Sequence, residues 1–376
     1  MSAVCPTLMI LLVLLLATAG FAATYSVSPA GDDANPGTNE RPWCTLQHAV
    51  ETIQPGDTIL VQSGTYVGCR IEHSGRADAI CTLKAADGAK VIVNSPPPGS
   101  KWHNNIDVGI DEERIGYWVV DGFEVLDSPR YGISLRHCDH VTARNCIVHG
   151  SRVTGIVTSF ADYVTIENNE CYENGEHGIY HANSGDHPII RGNRSHDNHT
   201  CGIHMNGDLN MGGDGMITEA LVEGNVIWGN GKGGGSAINC DGVSDSIIRN
   251  NLCYDNLASG ISLYAIDGTE GSSRNQVLGN TIVVPAEGRW ALNIPVSHGG
   301  RPNPTGNIAL DNILLSANPS TGAITIWDPA ALVTSDHNLL TNRLSPDGGK
   351  NVLTLDEWQK AGRDEHSLAS GVVGRE

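Results

Sequence analysis

The sequence has little of what builds helical bundles or binds polyanions. Only 17% of its 376 residues are charged and only 5% are aromatic, a composition that excludes a coiled coil or a helical bundle. Basic residues are scarce: 23 Lys and Arg face 42 Asp and Glu. The resulting formal charge of −19 repels phosphate backbones and anionic membrane surfaces, which excludes nucleic-acid binding. The ten cysteines include no CxxC pair, so neither a zinc ribbon nor a dithiol redox motif is written in the chain.

Long apolar runs are missing too. The run from Leu8 to Ala17 is too short to span a bilayer and is followed by the small residues Gly20, Ala22 and Ala23. It reads as a signal peptide over residues 1–23, with an uncleaved N-terminal anchor as the alternative. Export removes Cys5 and leaves a secreted protein, extracellular or periplasmic, that is expected to be monomeric and off the membrane. Of the remaining cysteines, Cys171 and Cys253 fall at inward positions of a repeat and read as small buried hydrophobes. Cys44, Cys69 and Cys81 are the disulfide candidates.

What is abundant is glycine, 45 residues, and asparagine at regular spacing. The segments TARNCIV, IENNECY, IRGNRSH, VEGNVIW, IRNNLCY, VLGNTIV and ALDNILL recur about every 24 residues or somewhat more. Their asparagines are Asn145, Asn169, Asn193, Asn225, Asn251, Asn280 and Asn312, with Asn338 as an eighth. Between them lies a second series, GISLR, GIVTS, GIYHA, GIHMN, AINCD, GISLY and ALNIP, alternating as strands with one buried face do. Short strands with Gly and Asn at the corners describe an all-β solenoid, a parallel β-helix of about 24 residues per coil. The asparagines are expected to stack as an amide ladder.

The opening YSVSPAGDDANPGTNERPWCTLQHAVETIQPGDTILVQSGTY resembles the N-terminal entry of right-handed parallel β-helix proteins of the pectate-lyase-like superfamily. The resemblance implies an extended strand, a short capping helix over about residues 45–53, and then the first coils. One domain is expected over residues 24–376: a cap and first coils (24–100), main coils (101–340) and a C-terminal cap (341–376). Within the last, residues 354–362 look helical, with Trp358 on the apolar side. The superfamily hosts lyases, hydrolases, epimerases, esterases and binding proteins, so the resemblance implies fold more than activity.

Insertions place the groove. Loops at 207–215, 266–274 and 296–304 leave the same edge of neighbouring coils, and the glycine loop 229–235 adds a second wall. If the Ile of each G-I-x-x-x strand points inward, the outward columns are Ser134, Val157, Tyr180, His204, Asn239, Ser262, Asn293 and Arg136, Ser159, Ala182, Asn206, Asp241, Tyr264, Pro295. His204, in the most polar stretch, reads as a general base or acid, or else as a surface histidine. His181 should point into the core; the histidines around it, His177, His187, His196 and His199, show no metal-ligand spacing.

The carboxylates support two chemistries. As in the superfamily's lyases, Asp208, Asp214 and Asp241 are candidate calcium ligands bridging an acidic substrate. Alternatively, Asp208 and Asp241 are the acid and nucleophile or base of a glycoside hydrolase; the bland reading is D-G turn chemistry, invited by GDG at 213–215 and CDG at 240–242. Pectate-type lyases use Lys or Arg as base, for which Lys232 and Arg136 are the obvious candidates. The leading expectation is a polysaccharide enzyme acting on a uronate polymer by β-elimination or C5 epimerisation. His204, Tyr264 and Tyr180 would transfer protons, with Asp208 and Asp241 beside them, while Asn206, Asn239, Arg136, Lys232 and Asp267 bind sugar. The rivals are the hydrolase and a non-catalytic carbohydrate-binding protein using Trp228, Trp290 and Trp327 as platforms.

Overall fold

A computed structural model describes residues 22–109 and 113–371. The expected signal peptide falls almost wholly on residues 1–21, outside the described residues. From residue 24 the chain winds into three long parallel sheets of 12, 11 and 12 strands, each pairing a strand with its equivalent in the next coil. This is the solenoid expected from the repeat.

The alternation of the G-I-x-x-x strands sets the middle sheet. Ile133, Ile156, Ile179, Ile203, Ile238 and Ile261 stack in register and are completely buried. Such a continuous apolar column supplies the main driving force, at roughly 25 cal/mol for each Å² of apolar surface removed from water. His181 belongs to the next inward column and is a satisfied core histidine, with Nδ1 2.5 Å from Thr158 Oγ1 and Nε2 2.8 Å from the Gly185 carbonyl.

At one corner the amide ladder runs through Asn169, Asn193, Asn225, Asn251, Asn280, Asn312 and Asn338. Each Nδ2 donates to the next Oδ1 at 2.9–3.1 Å. Asn145 is not a member. It is exposed at φ 53° and donates to Asp121, while Cys146 holds the ladder position and its backbone N–H donates to Asn169 Oδ1. The motif was one residue out of phase in that coil, since the left-handed position before the ladder also favours Asn, as at Asn168 and Asn250. A second ladder, Asn174, Asn198, Asn230 and Asn256, lines another corner.

Both ends are capped. Helix α1 (Leu46–Thr52) buries Leu46, Ala49 and Val50, with Thr45 as N-cap accepting from the His48 N–H. Helix α2 (Leu355–Lys360) starts in a capping box formed by Thr354 and Glu357 and buries Trp358. Past its end, Asp364 accepts from both Trp358 Nε1 and the last ladder amide, Asn338 Nδ2, so no ladder donor is left open. The expected disulfides are absent among the described residues: Cys69 and Cys81 are buried free thiols and Cys44 is a half-buried one.

Candidate functional site

The two outward columns pair in the expected register. Val157, Tyr180, His204, Asn239 and Ser262 are successive partners, as are Ser159, Ala182, Asn206, Asp241 and Tyr264. The inserted loops stack on one edge through their backbones: Leu209 N–H to Asp267 O at 3.0 Å, Thr269 N–H to Gly215 O at 3.0 Å, and Gly271 N–H to Pro302 O at 2.8 Å. The wall is therefore a hydrogen-bonded unit.

Among the described residues, clefts open along this sheet on either side of His204. One, of about 160 Å³, is lined by Trp102, Arg130, Tyr131, Arg136, Tyr180 and Met211, among others. Arg136 lies 4.5 Å and Arg130 5.0 Å from the Trp102 ring, and Arg130 also covers Tyr131 and donates to its hydroxyl at 3.2 Å. In a chain so acidic, two guanidiniums held against aromatic faces form a local attractor for carboxylates. The second cleft, of about 250 Å³, is lined by Asn239, Ser262, Tyr264, Arg289, Asn293 and His298, among others. Trp102, Arg130 and Tyr131 escaped the sequence reading: Trp102 and Arg130 lie on connecting segments and Tyr131 at the very start of its strand, all outside the two alternating columns. The only local signal was the pair of basic residues six apart in PRYGISLR.

Both predicted tyrosines are partly buried and each receives a side-chain amide from a neighbouring coil. Asn206 Nδ2 donates to Tyr180 Oη at 3.2 Å and Asn239 Nδ2 to Tyr264 Oη at 2.5 Å. Burial pushes the Tyr180 phenol up to about 12 and Tyr264 higher still, against the smaller opposing effect of these amides. Both are neutral acids near pH 7. They stand three coil steps apart, about 14 Å between backbones at the usual strand spacing.

His204 packs into a cluster of rings. Its ring stacks on Tyr180, Nδ1 lies 3.3 Å from His177 Nε2, and Nε2 is buried without a partner. Neither nitrogen is presented to a sugar in the groove. Burial first, and the neighbouring His177 second, hold its pKa well below the ordinary histidine value.

The carboxylates anchor loops. Asp241 is buried and accepts the backbone N–H groups of Ile266, Asp267 and Gly268 at 2.9–3.3 Å. Burial pushes its carboxyl up while those amides pull it down. Asp208 caps a short 3₁₀ turn by accepting from the Asn210 N–H, and Asp214 accepts from the Met216 N–H. The glycines after Asp214 and Asp241 hold positive φ, 72° at Gly215 and 64° at Gly242, and a Cβ on Gly242 would lie 2.8 Å from Gly268 Cα. Asp208, Asp214 and Asp241 do not converge into a three-ligand cluster among the described residues. Asp241 engages its carboxylate with three backbone N–H groups, whereas half-exposed Asp208 uses one oxygen for its cap. Asp267 comes within 3.5 Å of Asn206 Nδ2, whereas Lys232 is exposed on the glycine loop and lines neither cleft.

With this geometry in hand, the relatives are informative. Pectate lyase PEL9 of Emericella nidulans is 27% identical over 381 aligned residues, covering 87% of this chain and 90% of its own. The crystal structure of pectate lyase Pel9A superposes with a TM-score of 0.56 at 18% identity, over 78% of this chain and 80% of that one. An alginate lyase from Paenibacillus sp. gives 0.57 at 21% identity, over 77% and 94%. At these identities the two structures establish the shared fold. The family model for the Pel9A-like right-handed β-helix region matches residues 25–263, from the first strand through the coil of Ile261. That span takes in the coils carrying Arg136, Tyr180 and Asn239, and the chain therefore belongs to the Pel9A-like right-handed β-helix family.

Proposed function

We propose that this protein is an exported enzyme that acts on a uronate-containing polysaccharide laid along the middle sheet, by β-elimination or C5 epimerisation. The observation that carries the reading is the placement of Arg130, Arg136, Trp102, Tyr131 and Tyr180 in one cleft. Abstraction of the proton at C5 puts charge on the adjacent carboxylate, and guanidiniums already positioned there stabilise that charge without reorganisation. Tyr131, whose hydroxyl accepts from Arg130 at 3.2 Å, is the proton acceptor, taking the C5 proton as its phenolate. Tyr180, neutral at working pH, donates to the leaving O4 in elimination or to the opposite face of C5 in epimerisation. The pectate lyase relatives support the substrate class.

The test is to offer pectic, alginate and glycosaminoglycan polymers, recording the ultraviolet absorbance of unsaturated uronates and deuterium uptake from solvent at C5 by NMR. Absorbance on one acidic polymer establishes elimination, and deuterium uptake without absorbance establishes epimerisation. New reducing ends with neither signal defeat the proposal in favour of hydrolysis.

A further inference from the structure

On the groove side of the middle sheet, beside Tyr180, three groups that the proposed chemistry leaves unused converge. His177, Cys201 and His204 each offer one ligand atom, and the three atoms lie within 4.8 Å of one another. We propose that they form a site for a borderline-soft divalent metal such as Zn²⁺, bound by two imidazoles and a thiolate with a fourth position open. This inference does not rest on the uronate reading.

The separation of His177 Nε2 and His204 Nδ1, 3.3 Å, is the edge of a tetrahedron whose two metal–nitrogen bonds are about 2.0–2.1 Å long. The ligands arrive from adjacent coils: His177 just before the strand Ile179–Ala182, and Cys201 and His204 at the next strand, Ile203–Asn206. His177 Nδ1 lies 2.8 Å from Thr200 Oγ1 and also faces the Cys201 backbone N–H at 3.4 Å, so metal binding at Nε2 selects the tautomer in which Nδ1–H donates to Thr200. His204 is unlike the core histidine His181, whose two nitrogens are both satisfied. Its Nδ1 faces only His177 Nε2, a second imidazole nitrogen, and both lone pairs converge on the side where Cys201 Sγ lies.

The glycine loop completes the enclosure. A Cβ on Gly235, at φ 97°, would lie 2.5 Å from Cys201 Sγ, so only glycine lets the loop close over the sulfur. Cys201 is a buried free thiol. On binding, the metal–sulfur bond forms as the thiol proton leaves to solvent. The donor set, nitrogen and sulfur without carboxylate, favours zinc or its cobalt substitute over calcium or magnesium.

The experiment is to strip the purified full-length protein with a chelator and titrate it with cobalt(II). The site predicts one cobalt per chain, visible bands of tetrahedral geometry, and a near-ultraviolet thiolate-to-cobalt band, all displaced by zinc. Cys201→Ser should abolish the thiolate band and His177→Gln should weaken binding at least about tenfold, while Cys253→Ser, a buried cysteine on another sheet, should leave both intact. Should a variant fail to fold, the unmodified protein still decides, because absence of the thiolate band overturns the proposal. Binding without that band, or a band that survives Cys201→Ser, also overturns it and points to the exposed cluster of Asp336, His337 and His366, which lacks a thiol, or to another cysteine.

Discussion

The ring of Tyr180 lies on that of His204 with centroids 4.9 Å apart and 16° between planes, while its hydroxyl accepts the Asn206 amide. The stacking fixes the ring and the amide fixes the hydroxyl, so the two contributions are separable. Tyr180→Phe should keep the stacked geometry and lose proton transfer, lowering kcat by about 10²–10⁴ with little change in KM. Stability should change by only about 1 kcal/mol, the worth of one hydrogen bond. Initial rates and a thermal melt on the same sample check both; a variant with unchanged kcat removes Tyr180 from the chemistry.

Arg136 packs on Trp102 and lines the same cleft. Arg136→Ala should raise KM for the acidic polymer about tenfold, since hydrogen bonds to charged groups contribute about 1.5–3 kcal/mol. Added salt should narrow the gap between variant and wild type. Steady-state kinetics at two ionic strengths measure both, and equal effects on a neutral polysaccharide would remove the carboxylate from the argument.

Breaking the amide ladder in its middle should be costly. Asn225→Ala removes the donor to Ile190 O and Asn251 Oδ1 and leaves the buried Asn193 amide without its acceptor. A loss of about 3 kcal/mol or more follows from 1–3 kcal/mol per unsatisfied buried group. Asn145→Gly, outside the ladder at positive φ, should stay within about 0.5 kcal/mol. Denaturant unfolding of the two variants provides the comparison.

Alkaline pH should destabilise the fold. Burial raises the Tyr66 phenol to about 12 from an ordinary value of 10.0, and raises Tyr264 further. Folded pKa values above the unfolded ones mean a contribution fully present below about pH 10. It is lost as pH rises towards 12, because the unfolded phenols ionise first. Melting temperature against pH should therefore fall across this window, and less steeply in Tyr264→Phe; an identical slope would assign the effect to other groups.

Much of the architecture was legible because a solenoid writes itself locally. Each coil must bury the same column and satisfy the same corner, so Ile at one phase and Asn at another recur in the chain, and register follows from phase. The outward columns containing Tyr180, Asn206, Asn239 and Tyr264 were read correctly for that reason. The same logic misplaced Asn145, where two adjacent corner positions both accept asparagine. It also passed over the second ladder of Asn174, Asn198, Asn230 and Asn256, whose flanking residues vary more.

By itself, the sequence determined the parallel coils, the two capped ends, the groove edge and the column positions, because these depend on periodicity and insertion length. Only the tertiary structure decided what each groove side chain does. A period of two says that His204 and Asp241 leave the sheet, but not that His177 from the neighbouring coil meets His204 or that the loop behind Asp241 turns three amides onto its carboxylate. Those outcomes, like the gathering of Trp102, Arg130 and Arg136 beside Tyr180, depend on contacts between residues distant in sequence, which the repeat does not encode.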